Sequence, residues 1–505
     1  MQQLMHSFEG YRVPDEILKG VRQGEISSFC LFGHWNGDSP AQVRTVTDML
    51  RQAARAGGQP VPLIGIDQEG GQLMAVTHGA TELPGNMALG ATRSPELAEQ
   101  AGRVLARELL AMGVNLNFAP SVDINVNPAN PVVGVRSFGA NPALVADLSV
   151  AMIRGIQAEG VIANAKHFPG HGDVSSDTHH NLPVLDYPRS RIDAVELVPF
   201  RAAIQAGVQA IMSAHILFST LDADLPATLS RAILYDFLRG ELGFDGLVLT
   251  DAMDMTPVAR FGAVESTRLA LHAGADLVLL AHLPNQLEIA HQTISYVQPA
   301  ALARIQAARQ RADQLALPDL SIVGCAEHQQ IAQTIADRSI TLVRDGGQLP
   351  LRPGVDDTIA VITPVPRDLT PADTSSSAHI GLADAIRQRH PRTQSYQLPA
   401  GDNQLGAILD ATLGAQIVVV GTVAADQDAA QAELVRTLYA RGQQPVVIAL
   451  RTPYDLIAFP MIKTYLCAYG IRAVTTEAAV RVLFGEIEAV GVLPCPIPDV
   501  SFDQI

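Results

Sequence analysis

Ile162–His180 reads IANAKHFPGHGDVSSDTHH. Its opening, Ile162–His167, is a short and mostly apolar run of the kind that forms a strand buried on both faces. From Lys166 to His180 the same stretch holds one Lys, four His and two Asp. Gly170, Gly172 and Pro169 punctuate it and disfavour a helix, so a shaped loop is expected to leave the end of the strand. A rigid element that delivers a loop rich in ionisable groups is the usual platform for chemistry.

The flanking sequence repeats the pattern. Ser28–Phe32, Val61–Asp67, Val114–Ala119, Ala210–His215, Leu247–Asp251 and Leu277–Ala281 are further strand candidates, separated by helical segments such as Ser94–Met112 and Leu144–Glu159. Strands alternating with helices predict parallel βαβ units. Seven strands are clear and an eighth is weak or displaced. Their number and span fit an α/β protein built as a TIM-type (β/α)8 barrel better than an open sheet. Asp67, Lys166, His167, His215 and Asp251 all fall at strand C-termini, the rim where such barrels do their chemistry.

Beyond Leu317–Gln330 the pattern loosens, then a second α/β unit begins. Its predicted strands are Ile340–Val343, Thr358–Ile362, Gln416–Val420 and Pro445–Ala449, with turns at Asp356–Asp357 and Gly401–Asp402. The expected division is a barrel over residues 1–318, a linker over 319–335 and a smaller α/β sandwich over 336–505.

Composition narrows the function. The chain has 505 residues, about half of them apolar, and a formal net charge of −16. Such acidity disfavours a general nucleic-acid field and reads as solubility. Cys30, Cys325, Cys467 and Cys495 are widely spaced, so neither a cysteine zinc site nor a disulfide scaffold is expected, and Cys30 reads as core. The N-terminus lacks a basic and an apolar signal region, and there is no apolar run of 18 residues. The expectation is a cytoplasmic protein with no membrane partner; the sequence is silent on oligomeric state.

Four segments carry ionisable groups in suggestive patterns. Asp177 and His179 stand two apart, on one side of an extended stretch, where a carboxylate can orient an imidazole for general acid/base work. A solvated pair on a loop is the plain alternative. His167, His171, Asp173, Asp177, His179 and His180 could also ligate zinc, but their spacing matches no HExxH-type signature and Lys166 would oppose a cation. Asp251 closes an apolar strand and can attack an anomeric carbon, or else cap the next helix, a role open to Asp254 too. In IGIDQEGG, Asp67 suits hydroxyl binding, Gly70 and Gly71 suit a turn, and Glu69 reads as a structural partner. In NPVVGVRSFG, Arg136 suits a hydroxyl or carboxylate clamp, with Asp123 as its expected partner.

Together IDQEGG, NPVVGVRSFG, AKHFPGHGDVSSDTHHNLP, IMSAHI and LVLTDAMDM resemble glycoside hydrolase family 3, in its NagZ-like β-N-acetylglucosaminidase branch. SITLVRDGGQLPL, VVIALRTPYDL and LFGEIEAVGVLPCPIP resemble the C-terminal sandwich of its two-domain members. The resemblance implies a retaining hydrolase of terminal β-linked N-acetylglucosamine. It implies Asp251 as nucleophile, His179 as acid/base, Asp177 as its partner, and Asp67, Arg136, Lys166 and His167 as sugar ligands. It implies a carbohydrate substrate, a role such as cell-wall recycling, and no metal or organic cofactor. Phosphorolysis by the same residues and a catalytically silent sugar-binding protein are the alternatives. The family often places arginines where this chain has Gln72 and Ala75, so one basic contact is absent or supplied from elsewhere.

Overall fold

The computed structural model describes residues 1–37, 39–175, 182–399 and 404–499. Asp177, His179, His180 and the Gly401–Asp402 turn lie outside the described residues. Eight short parallel strands form a closed ring: β1 (Leu4–Met5), β2 (Ser28–Cys30), β3 (Leu63–Ile66), β4 (Leu116–Asn117), β5 (Ile162–Phe168), β6 (Ala210–Ser213), β7 (Leu247–Leu249) and β8 (Val278–Leu279). β2 to β7 pair in sequence order. The ring closes through β1: it pairs with β8, bridges β2 at His6–Phe29, and β7 bridges the start of β8 at Leu249–Leu277. The barrel expected from the sequence is therefore the observed one. Its weak strand is the first, two residues long and too short to show any periodicity.

Strand parity explains why these residues build a barrel. Leu63, Leu116, Ile162, Ala210, Leu247 and Leu277 point inward and pack with Met5, Cys30, Met212 and Phe118 in one cluster. Their strand neighbours Ile64, Ala163, Ile211 and Val248 point outward against the surrounding helices. Gly65 is required by this packing, since a Cβ there would meet the Phe118 ring at 2.4 Å. The outer helices include Pro95–Ala111, whose Ser94 caps the Leu97 amide, and Pro142–Ala158, capped by Asn141.

The second unit is a six-stranded sheet of β9 (Thr341–Arg344), β10 (Ile359–Pro364), β11 (Thr393–Leu398), β12 (Ile417–Thr422), β13 (Val446–Ala449) and β14 (Thr464–Cys467). Its order is β9-β14-β13-β12-β10-β11, parallel except for the antiparallel β9–β14 edge. Alternate residues feed apolar cores on both faces, which makes it a sandwich. β11 and β14 add to the four strands expected. The stretch where the sequence pattern loosens contains a helix, Ala326–Ser339, packed against Ile340 and Leu483.

The two units share structure. Met87, Ala88, Ala91 and Val135 of the barrel join one core of the sandwich. Pro494 and Val492 exchange backbone hydrogen bonds with Ala140 and Ala91, at 3.0 and 2.9 Å. Asn125 donates to the Tyr454 hydroxyl at 2.9 Å. Among the described residues no helix is long and apolar enough to cross a membrane.

Candidate active site

The inward parity of the strands continues past their ends and aims polar side chains into the mouth. On β3, Leu63 and Gly65 point inward, and so does Asp67. On β5 the series is Ile162, Asn164, Lys166; on β7 it is Leu247, Leu249, Asp251. Asp67, Lys166 and Asp251 line one cavity of about 850 Å³ at this end of the barrel, together with Arg136 and His167. Five of the seven residues expected at the site are thus brought together; Asp177 and His179 are the two outside the described residues.

The deepest part is a network of charges. The buried Lys166 ammonium lies 2.6 Å from Asp67 and 2.7 Å from Glu69. Arg136 grips Glu69 with two parallel bonds, 3.0 Å from Nε and 2.7 Å from Nη2. Burial alone would raise the Glu69 carboxyl, but Arg136 and Lys166 hold it down at about 2. Burial likewise disfavours charge on Lys166, yet Asp67 and Glu69 overcome it and keep the ammonium protonated. The Glu69 side chain is 2 % exposed and Asp67 34 %, so Asp67 is the carboxylate open to the cavity and Glu69 the one that balances buried charge.

The expected Arg136–Asp123 pair is not formed, nor is Arg136 a surface residue. Its partner is Glu69, which follows β3 on a small hairpin, Gln68–Gly70 with Leu73–Met74. Asp123 is committed elsewhere. It accepts from the Ser121 hydroxyl at 3.0 Å, the His171 amide at 2.7 Å and the His167 amide at 3.2 Å. Its Oδ2 also lies 2.7 Å from His167 Nδ1. A carboxylate can only accept, so Nδ1 carries the proton that Asp123 receives, and the His167 ring is fixed where it lines the cavity. Asp123 is the orienting residue that sequence reasoning assigned to the wrong partner, because spacing cannot tell which strand end a side chain reaches.

The loop after β5 is shaped by its glycines. Gly170 adopts φ +140°, and a Cβ on Gly172 would sit 1.7 Å from the Ile124 carbonyl oxygen. His171 is buried beside His167, and burial lowers its pKa to about 4. Asp173 accepts from the Tyr187 hydroxyl at 2.9 Å and from Arg191 at 3.1 Å, anchoring the loop just before Ser176. Among the described residues no group of three His, Cys, Asp or Glu is arranged to hold a metal ion.

Asp251 is partly exposed, and its Oδ1 accepts the Ala252 amide at 2.7 Å. The N-cap of the next helix, Thr256–Ala259, is Met255, which supplies no side-chain cap. Asp254 instead holds His282 Nδ1 at 2.8 Å. His215 lies below, bonded to Thr228 and the Ala252 carbonyl at 2.8 and 2.9 Å. Burial lowers its pKa, which keeps it neutral.

The second unit reaches the same cavity. Its loop Asp368–Ser377 contributes Pro371, Ala372 and Thr374 to the lining. The Gln72 side chain donates to the Ala372 carbonyl at 3.0 Å, while the Thr374 amide and hydroxyl both donate to the Gln72 carbonyl at 2.8 Å. Arg472 ties the Gly71 carbonyl to the same loop at 2.7 Å. Gln72, read from the sequence as a lost basic contact, is thus a docking point for the sandwich loop. No local sequence signal marks such a long-range contact.

A closed parallel barrel whose C-terminal mouth holds a cavity lined by paired cations, carboxylates and an oriented imidazole has the architecture of a (β/α)8-barrel enzyme. Residues 1–315 match the model of the glycosyl hydrolase family 3 N-terminal domain. The chain is 30 % identical, over 96 % of its own length and 91 % of the relative's, to β-hexosaminidase A of Pseudoalteromonas piscicida. It is 38 % identical to a β-hexosaminidase of Thiobacillus denitrificans, over 56 % of this chain and 78 % of that one. It superposes with a TM-score of 0.92 and 35 % identity on a family 3 β-N-acetylglucosaminidase from Paenibacillus sp., covering 99 % of this chain and 98 % of that one. The chain belongs to glycoside hydrolase family 3, and it is a glycoside hydrolase.

Proposed function

We propose that the protein releases terminal β-linked N-acetylglucosamine with retention of configuration. The observation that carries this reading is the strand register that points Asp251 into the cavity holding the Lys166–Asp67 and His167–Asp123 pairs. Of two relatives matched along both units, one is named a β-hexosaminidase and the other a β-N-acetylglucosaminidase, which supports N-acetylglucosamine as the sugar.

The Asp251 carboxylate attacks the anomeric carbon, and the bond to the leaving oxygen breaks as His179, steered by Asp177, donates its proton to that oxygen. Water then attacks the same carbon, gives a proton back to His179 and frees the Asp251 carboxylate. Asp67, Lys166 and His167 hold the sugar hydroxyls, and Arg136 acts by fixing Glu69 beneath Lys166. Asp251→Ala and His179→Ala are each expected to lower kcat on an aryl N-acetylglucosaminide by about a thousand-fold or more, as loss of a nucleophile or proton donor does. The result that overturns the mechanism is near-normal turnover in Asp251→Ala. Turnover that requires phosphate and yields a sugar 1-phosphate would replace hydrolysis by phosphorolysis.

A further inference from the structure

One wall of the cavity is aromatic. Phe32 continues the inward register of β2, and His34 follows two residues later. His282 stands just past β8, so it comes from the other side of the seam that β1 closes. The Phe32 and His282 rings lie 4.2 Å apart between centroids, and His34 stacks on His282 at 5.4 Å with an interplanar angle of 25°. Trp35 braces His282 edge-on at 4.4 Å. Phe32, His34 and His282 all line the cavity. Asp254 fixes the His282 ring through Nδ1, at 2.8 Å, and stands three residues beyond Asp251 in one loop.

Burial, and then the neighbouring His282, lower the pKa of His34, so this ring is neutral near pH 7. A wall of rings that lines the cavity offers apolar area to it, and an imidazole held at Nδ1 by a carboxylate adds one oriented polar edge at Nε2. That combination matches a pyranose, whose C–H face covers a ring while its hydroxyl or acetamido group meets the nitrogen. The polar anchors of the reacting sugar occupy the arc from β3 to β5. The aromatic wall occupies the arc from β8 to β2, with Asp251, two residues past β7, at its margin.

We propose that this wall binds the sugar on the leaving-group side, and that it favours a second β-linked aminosugar over a small leaving group; this rests on Asp251 as the reaction centre. The experiment compares kcat/KM for the β-1,4-linked disaccharide of N-acetylglucosamine with that for the methyl N-acetyl-β-glucosaminide. In His282→Ala the ratio of the two is expected to fall about ten-fold, because remote binding energy is lost from the disaccharide. In the exposed position, His34→Ala lowers it about three-fold, and His282→Phe, which keeps a ring, recovers most of the loss. A ratio within about two-fold of the unaltered enzyme in both alanine variants overturns the proposal. Equal losses on both substrates place the rings against the reacting sugar and overturn it as well. A wrong reaction centre gives a different signature, turnover of both substrates in Asp251→Ala.

Discussion

The two arcs of the barrel mouth solve the problem of facing a ligand in opposite ways. From β3 to β5 the side chains are charged, mostly buried and paired with one another: Lys166 and Arg136 share Glu69, and Asp123 collects His167 and two amides. From β8 to β2 they are aromatic and partly open, with a carboxylate–imidazole hydrogen bond, Asp254 to His282, whose members are 26 % and 36 % exposed. The first arc is preorganised, since every charge has a fixed partner before a ligand arrives. The second is a cluster of rings that pack on one another and leave their cavity side to a ligand. Removing a partner should therefore hurt the folded state in the first arc and spare it in the second.

The largest contrast comes from one partner in each arc. Glu69→Ala leaves the buried Arg136 without its counter-charge and Lys166 with Asp67 alone, and is expected to destabilise by about 3–5 kcal/mol, measured as a drop in the denaturation midpoint. Asp254→Ala breaks a pair open to solvent and is expected to cost at most about 1 kcal/mol in the same measurement. Equal losses would show that the two arcs differ in composition and not in preorganisation.

Acid sharpens the comparison. Burial holds both His171 and His6 neutral, with pKa lowered from 6.5 to about 4. The unfolded chain therefore takes up these protons before the folded one does. The stability tied to them is complete above pH 6.5 and is lost as pH falls through 4. The thermal midpoint is expected to decline across that window, and His171→Gln to decline less steeply there. A flat midpoint between pH 6.5 and 4 would contradict this.

The smallest effect belongs to the second unit. Gln72→Ala removes one hydrogen bond to the Ala372 carbonyl, a loss of about 1 kcal/mol, but leaves the backbone contacts of Thr374 in place. A several-fold rise in KM with kcat maintained is the expected kinetic trace, because the loop lines the cavity away from Asp251.

Most of the fold was legible because buried parallel strands are apolar on both faces, as in Ile162–Ala165 and Leu247–Leu249. β1 was not, since two residues carry no period. The same parity that built the barrel interior aims Asp67, Lys166 and Asp251 into its mouth, so those positions could be read from strand ends alone. Phe32 obeys that parity too, yet an aromatic residue at a strand end looks like core and gave no chemical signal. The partners chosen by Asp123, Arg136 and Gln72 were beyond reach, because each contact joins segments distant in the chain and depends on loop paths.

Closure of the ring by β1 has an optical consequence. The chain contains a single tryptophan, Trp35, and it lies against His282 across the seam between β2 and β8. Every photon of indole emission therefore originates beside that seam. Separation of residues 4 and 278 and arrival of a sugar both report through one fluorophore, with no label added.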